Sequence, residues 1–311
     1  MALTACGAAA REPGTATVRP AAAATTAVAA AAARTPALCR GPLRARVTGH
    51  VTAGFATELS GLVASRSRRG VLWTHNDSGD SARLLAVTTS GRTVAEVALS
   101  GAQNVDWEDI ERGPGGDLLV GDIGDNEGKR ASIVVYRVRE PRETSPARPQ
   151  VTVAVAARYE LRYPDGARDG EALLFDRANG AIVIVTKSFG GEAGIYVIRN
   201  PSPAGVTTLR RAGTLRLGFG EAVTAGDVSA AGRTIALRSY DRAFVWRRRA
   251  GETVAAALRR RPCDADADLL REGQGEALAL TAGGRAFLTV PEGRRPALRR
   301  YESIARVSQH E

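Results

Sequence analysis

The residues best placed to do chemistry in this chain are acids that recur. Glu58, Glu108, Glu171, Asp227 and Glu276 each stand just before, or at the start of, a short run of small and apolar residues, at intervals of 50, 63, 56 and 49. A carboxylate needed only for one local turn has no reason to return at that spacing. Acids that converge repel one another unless a cation or protonation offsets them, and carboxylate oxygens are the ligands of hard cations, Ca2+ foremost. Glu58, Glu108, Glu171 and Glu276 are therefore expected as metal ligands, joined by Asp77 and Asp122 from the turn-rich stretches His75–Asp80 and Gly121–Glu127. The competing role for the same acids is structural: each would cap backbone amides of a neighbouring repeat. In the turn stretches, Asp80, Asp125 and Asn126 read first as turn formers, whose side chains bond their own backbone.

A catalytic reading adds three residues. His75, beside Asn76 and Asp77, would act as general base on an ester, lactone or phosphate polarised by the metal. Lys187 would neutralise an anionic substrate, and Tyr240 would line the same mouth. The plain alternative is that His75, next to Trp73 and Thr74, is a packed and hydrogen-bonded residue. The sequence holds no Gly-x-Ser-x-Gly elbow, P-loop, His-Glu-x-x-His helix or dinucleotide fingerprint.

The elements that must position these residues are strands. From about residue 44, short apolar runs alternate with Gly, Asp, Asn, Ser and Pro turns, and no segment keeps a 3.6-residue period over twelve residues. Each repeated acid opens a unit with room for up to four strands. The second unit's last strand is expected at Val151–Leu161, the third's at Val206–Leu217 and the fourth's at Val254–Leu258. The fifth unit has only three strands, while Arg44–Val51 precedes the first unit without a partner. That segment is expected to complete the last sheet, which removes an open edge. The fold predicted is all-β: a single β-propeller of five four-stranded blades, closed by an N-terminal strand. Six blades is the alternative, because the 63-residue interval or the Cys263–Gln274 stretch has room for more strands. In such a blade the innermost strand starts on the face where the second strand ends. The acids and the loops Thr186–Ser188, Ser239–Asp241 and Pro291–Gly293 should therefore share one mouth of the channel.

Composition sets the limits. The 311 residues include 43 basic and 33 acidic ones, a net charge of +10, with aromatics at only 5%. Lys129 and Lys187 are the only lysines. The arginines are dispersed, with short clusters at Arg66–Arg69, Arg247–Arg249, Arg259–Arg261 and Arg294–Arg300. They form neither one stripe nor a known reading module, so no specific nucleic-acid reader is expected and contact with a polyanion is the minor reading. No stretch of 18 apolar residues exists. Cysteines at 6, 39 and 263 make no disulfide framework and no metal site, and Cys263 is expected as a buried thiol. Residues 1–43, rich in Ala, Thr, Pro and Arg, read as a disordered tether, 44–305 as the propeller and 306–311 as a tail. Leu3-Thr4-Ala5-Cys6-Gly7 resembles a bacterial lipobox. A lipidated Cys6 would be the sole membrane attachment, with a start placed too far downstream accounting for the missing signal. Otherwise the chain would be cytoplasmic.

Trp-Thr-His-Asn-Asp-Ser-Gly-Asp at Trp73–Asp80, Asn-Val-Asp-Trp-Glu-Asp-Ile-Glu at Asn104–Glu111 and Gly-Asp-Ile-Gly-Asp-Asn at Gly121–Asn126 carry a resemblance. Over about residues 50 to 300 the chain resembles secreted or lipid-anchored actinobacterial propeller proteins that have no agreed activity. More distantly it resembles the calcium-containing propellers of lactonases and of phytase-like esterases. The resemblance implies a propeller outside the cytoplasm, with Ca2+ as cofactor. The function expected is a monomeric extracytoplasmic binding or scaffold module for a small molecule or cell-surface partner, stabilised by a cation at one channel mouth. The alternative is a Ca2+-dependent hydrolase of small esters, lactones or phosphoesters.

Overall fold

The computed structural model describes residues 1–2, 35–141 and 150–304. Cys6 and the tail from 305 onward lie outside the described residues. A compact unit begins at Pro36, earlier than the boundary expected at residue 44. The reason is Leu38, which a short 3-10 turn at Ala37–Cys39 buries completely.

Strand β1 (Leu43–His50) comes first in the chain. The first blade follows with β2 (Leu59–Ala64), β3 (Val71–Asn76), β4 (Arg83–Thr88) and β5 (Thr93–Ser100). The second blade takes β6 (Trp107–Arg112), β7 (Leu118–Asp122) and β8 (Ile133–Val138). The expected strand at 151–161 is two strands, β9 (Gln150–Ala154) and β10 (Ala157–Arg162). β10 completes the second blade, whereas β9 runs parallel to β5 on the edge of the first. The third blade is β11 (Gly170–Asp176), β12 (Ala181–Thr186), β13 (Glu192–Arg199) and β15 (Arg210–Arg216), and β14 (Val206–Thr208) lies parallel to β10 on the second blade. Long single strands at both places would have left outer edges open; splitting them covers the edges of two blades.

The fourth blade holds β16 (Ala225–Val228), β17 (Thr234–Arg238), β18 (Ala243–Arg247) and β19 (Cys263–Ala265). Val254–Leu258, expected as its outer strand, is instead a short helix, α1. Three successive alanines favour that conformation, and the Thr253 hydroxyl caps it by accepting from the Ala256 N–H at 3.1 Å. The fifth blade is β20 (Gly275–Leu280), β21 (Ala286–Pro291) and β22 (Ala297–Ser303), and β1 pairs antiparallel with β22 from Leu43↔Ser303 to His50↔Ala297. The predicted closure by the N-terminal strand is borne out, as is the count of five blades. Inner strands pack in a ring: β2 on β6, β6 on β11, β11 on β16, β16 on β20, and β20 back on β2.

A sheet packed on both faces needs apolar residues on both, and β3, β7, β11, β12, β20 and β21 are buried along their whole length. The cores lie between blades. Trp73, Trp107 and Tyr136 join the first and second, Trp246 the third and fourth, and Phe287 and Tyr301 the fourth and fifth. Cys39 is bonded to Cys263, with 6.2 Å between Cα atoms, so Cys263 is not the buried thiol expected. Among the described residues, no helix is long and apolar enough to cross a membrane.

Candidate metal centre

Four blades bring carboxylates to one mouth of the channel. Three overlapping groups each offer ligand atoms within 4.8 Å of one another: Asp77, Asp106 and Glu108; Glu108, Asp169 and Glu171; and Asp77, Glu276 and Glu292. Each group could hold a metal ion. Glu108 and Glu171 sit at bulges near the starts of β6 and β11, and Glu276 holds the corresponding place in β20. A bulge re-aims a side chain out of the ladder, and it turns these three acids toward the channel mouth. Asp106 and Asp169 lie two residues earlier, on the same side of an extended chain. Asp77 follows β3, and Glu292 follows β21. Gly124 lies so close to this group that a Cβ there would collide with Glu108 Oε1 and the Asp106 carboxylate.

The first blade offers Ser60 and Gly61 where the second, third and fifth offer an acid. Gly61 has φ +66°, and a Cβ there would strike the His75 ring and the backbone of Asp109. The fourth blade offers Thr224. Asp109 Oδ2 accepts from the N–H groups of both Leu173 and Gly226, at 2.9 and 3.2 Å, which sets those two residues level. Counting back two residues from each puts Thr224, not Asp227, beside Glu171. Asp227 therefore lies deeper in the channel, 3.6 Å from Arg112 and accepting from the Leu280 N–H at 2.7 Å.

Electrostatics at the mouth follow from crowding. Burial and then the charges of Asp106 and Glu276 push the Asp77 carboxyl up to about 7. Burial and Asp169 push Asp106 up to about 6, and burial with the neighbouring Glu276 pushes Glu292 to about 8. Glu108 is held well above the ordinary range by burial and by Glu171. Among the described residues, Lys187 is the cation that touches the group, its ammonium bonded to Glu171 Oε1. Burial works against that ammonium, but Glu171 and Tyr240 more than offset it and keep it protonated. Glu171 Oε2 and Asp77 Oδ1 are buried and have no hydrogen-bond partner among the described residues. Buried carboxylate oxygens without a donor are costly, and a bound cation of the oxygen-preferring kind is what such atoms accommodate.

The nine residues expected at this site divide. Asp77, Glu108, Glu171 and Glu276 come together, with Lys187 beside them. The Tyr240 hydroxyl donates to Glu276 Oε1 at 3.3 Å, and its ring centroid lies 5.7 Å from the Lys187 ammonium. Glu58 is exposed, close enough to raise Asp77 and Glu292 but in none of the three groups. Asp122 stands behind the group, paired with Arg130 at 2.9 Å and accepting from the Asp106 N–H at 3.1 Å, so it positions the Asp106 segment. His75 is fully buried between the first two blades. Its ring meets Trp107 edge-on at 5.4 Å, and Nδ1 lies 2.9 Å from the Asn76 carbonyl oxygen. Burial lowers its pKa to about 4. An enclosed, neutral imidazole has no route to a substrate proton, so the geometry matches the packed role weighed for His75. Asp80 and Asp125 form local bonds, Asp80 with Arg83 and the Ser81 N–H, Asp125 with the N–H groups of Lys129 and Arg130. Asp106, Asp169 and Glu292 were not among the expected ligands. The signal for the first two is the alternation Asp106-Trp107-Glu108 and Asp169-Gly170-Glu171, which puts both acids of each pair on one side of a strand.

No protein-family model matches the chain, and no curated protein sequence does. Among solved structures it is similar to a gluconolactonase of Xanthomonas campestris, at 12% identity and TM-score 0.46, covering 86% of this chain and 91% of that one. It is also similar to U3-55K, at 10% identity and TM-score 0.41 over 85% and 100% of the two chains. The WD40 repeats of RRP9 follow at 9% identity and TM-score 0.42, over 83% and 97%. Identities this low speak to fold alone, and the five-bladed ring described above stands on its own geometry.

Proposed function

We propose that the protein is an extracytoplasmic binding module whose acidic channel mouth holds one Ca2+ ion and presents it, with Lys187 and Tyr240 alongside, to an oxygen-bearing ligand or cell-surface partner. The observation that carries this reading is the imbalance of charge: seven carboxylates share overlapping positions and one ammonium touches them. Ca2+ suits the donor set better than Mg2+, because acids drawn from four blades make an irregular, carboxylate-rich cage rather than a tight octahedron. The Cys39–Cys263 bond supports a place outside the cytoplasm, since disulfides persist in oxidising compartments. Metal analysis by mass spectrometry of chelator-free, undialysed protein is the test. About one calcium per chain is expected; a metal-free protein whose melting temperature ignores added Ca2+ would overturn the reading.

A Ca2+-dependent hydrolase is the second reading, and one observation favours it. Asp106 sits half-buried at the mouth beside Glu108, where a carboxylate not taken by the ion would serve as general base toward a ligand on the metal. Turnover of small esters, lactones or phosphoesters that chelation abolishes and Asp106→Asn removes would establish it. Intact substrates under saturating Ca2+ would leave the binding module alone.

A further inference from the structure

The face of the ring opposite the acidic mouth carries the inverse chemistry. It is built from the turns that join each first strand to its second and from the segments that leave each third strand. Two gaps between blades hold a cavity there. One, of about 570 Å3, lies between the third and fourth blades and is lined by Arg233, Arg247, Arg248 and Arg249. The other, of about 620 Å3, lies between the first and second blades and is lined by Arg66, Arg137 and Arg139. The two are equivalent by repeat. Each uses the first turn of one blade, the first turn of the next and the end of that next blade's third strand. Arginine reaches both positions from different local sequences.

Acids cancel only part of this charge. In the first cavity the Glu252 carboxylate is taken by Arg260, at 2.7 and 3.0 Å, and by the Arg249 N–H at 2.8 Å. Arg248, its side chain only 9% exposed, is fixed by Asp176 at 3.0 Å and by the Gly232 carbonyl at 3.0 Å. Arg233 and Arg249 have no ion pair among the described residues. In the second cavity Asp117 is paired with Arg137 at 2.6 Å, and the buried Glu140 carboxylate accepts from Trp73 Nε1 at 3.0 Å and from Ser65 Oγ. Arg66 and Arg139 have no ion pair among the described residues. At the end of β6, Arg112 Nε is buried without a hydrogen-bond partner among the described residues.

We propose that these two cavities bind a compact polyanion, a small molecule carrying phosphate groups, held between pairs of guanidinium forks. Guanidinium matches phosphate oxygens two at a time. The sites are half-open dents rather than a continuous groove, and no aromatic side chain lines them for stacking on bases. This proposal does not depend on the metal at the other mouth.

The probe is inorganic pyrophosphate, titrated into the calcium-free full chain by calorimetry at low salt. Saturable binding is expected, weakening as salt rises. Arg233→Gln with Arg249→Gln should weaken the first site at least about tenfold. Arg66→Gln with Arg139→Gln should do the same at the second, and the fourfold variant should bind nothing. Arg44→Gln with Arg46→Gln, two exposed positions on β1, makes the same charge change elsewhere and should leave binding intact. Glu108→Gln should also leave it intact. The proposal is overturned by absence of pyrophosphate binding at low salt, by unchanged binding in the fourfold variant, or by an equal loss in the β1 control. Retention of long heparin chains without pyrophosphate binding also overturns it, in favour of an extended polymer.

Discussion

Two sets of acids occupy the same channel and behave differently. At the mouth, Glu108, Glu171 and Glu276 crowd with Asp77, Asp106, Asp169 and Glu292, and two of their buried oxygens have no donor. Further in, Asp109, Glu111 and Asp227 are as deeply buried, yet each is tied to backbone of another blade. Asp109 accepts from the N–H groups of Ile110, Leu173 and Gly226; Glu111 accepts from Val228; Asp227 accepts from Leu280. The inner set staples inner strands together, which is the amide-capping role. Among the described residues of the mouth set, Asp169 alone accepts from the backbone of another blade, at the Asp125 N–H, 2.8 Å away; the inner oxygen without a hydrogen bond, Asp227 Oδ1, instead faces Arg112 at 3.6 Å. Position relative to the neighbouring strand, not residue type or burial, separates the two roles.

The largest effect should come from breaking the staple. Asp109→Ala leaves three buried N–H groups without an acceptor, at about 1–3 kcal/mol each. A loss of at least about 3 kcal/mol lowers the melting temperature by roughly 10 °C. The drop should be the same with and without Ca2+ in thermal scans; rescue by Ca2+ would erase the distinction between the two sets. Next in size is the ion itself. Ca2+ at a hundred times its Kd adds about 2.7 kcal/mol, or roughly 5–10 °C. Glu108→Gln, which removes one of the two carboxylates shared between groups, should abolish that rise while leaving the calcium-free protein at least as stable.

Proton uptake sharpens the contrast. Asp77 and Asp106 hold their protons in the folded chain up to about 7 and about 6, well above the ordinary value of 3.8. The folded state therefore binds more protons than the unfolded one between about pH 4 and pH 7, and stability falls as pH rises through that window. Calcium-free protein should lose on the order of 5 °C in melting temperature between pH 5 and pH 8. Saturating Ca2+ should remove the mouth's share. The slope that remains belongs to the inner acids: Glu111, which burial and Asp227 push up to about 8, and Asp109, which burial holds well above the ordinary range; it should shrink in Glu111→Gln.

Much of the ring was legible because the repeat and the unpartnered strand at Arg44–Val51 report a physical necessity: one blade cannot bury both faces, and an open edge must be covered. The split outer strands and α1 were not legible, since a run such as Val254–Leu258 suits strand or helix until its neighbours choose. Nor was the bond between Cys39 and Cys263, 224 residues apart, which exists only because ring closure brings the N-terminal segment to the fourth blade. At the site, alignment by residue type grouped Asp227 with the mouth acids. Bulges in β6 and β11, which β16 lacks, shift the register and carry it elsewhere.

Glu58 offers the smallest and most discriminating test. It is exposed and outside the three ligand groups, yet it shares the mouth's field, since its charge helps raise both Asp77 and Glu292. Glu58→Gln should weaken Ca2+ binding by less than about threefold at low ionic strength, because an exposed charge acts through high-dielectric solvent. At about 1 M salt the screening length is near 3 Å, and the variant should then match the parent. The loss in Glu108→Gln should persist at any salt, because it removes a ligand rather than a distant charge. Equal salt sensitivity in both variants, measured by Ca2+ titration, would mean that the mouth attracts a diffuse cloud of cations rather than one coordinated ion.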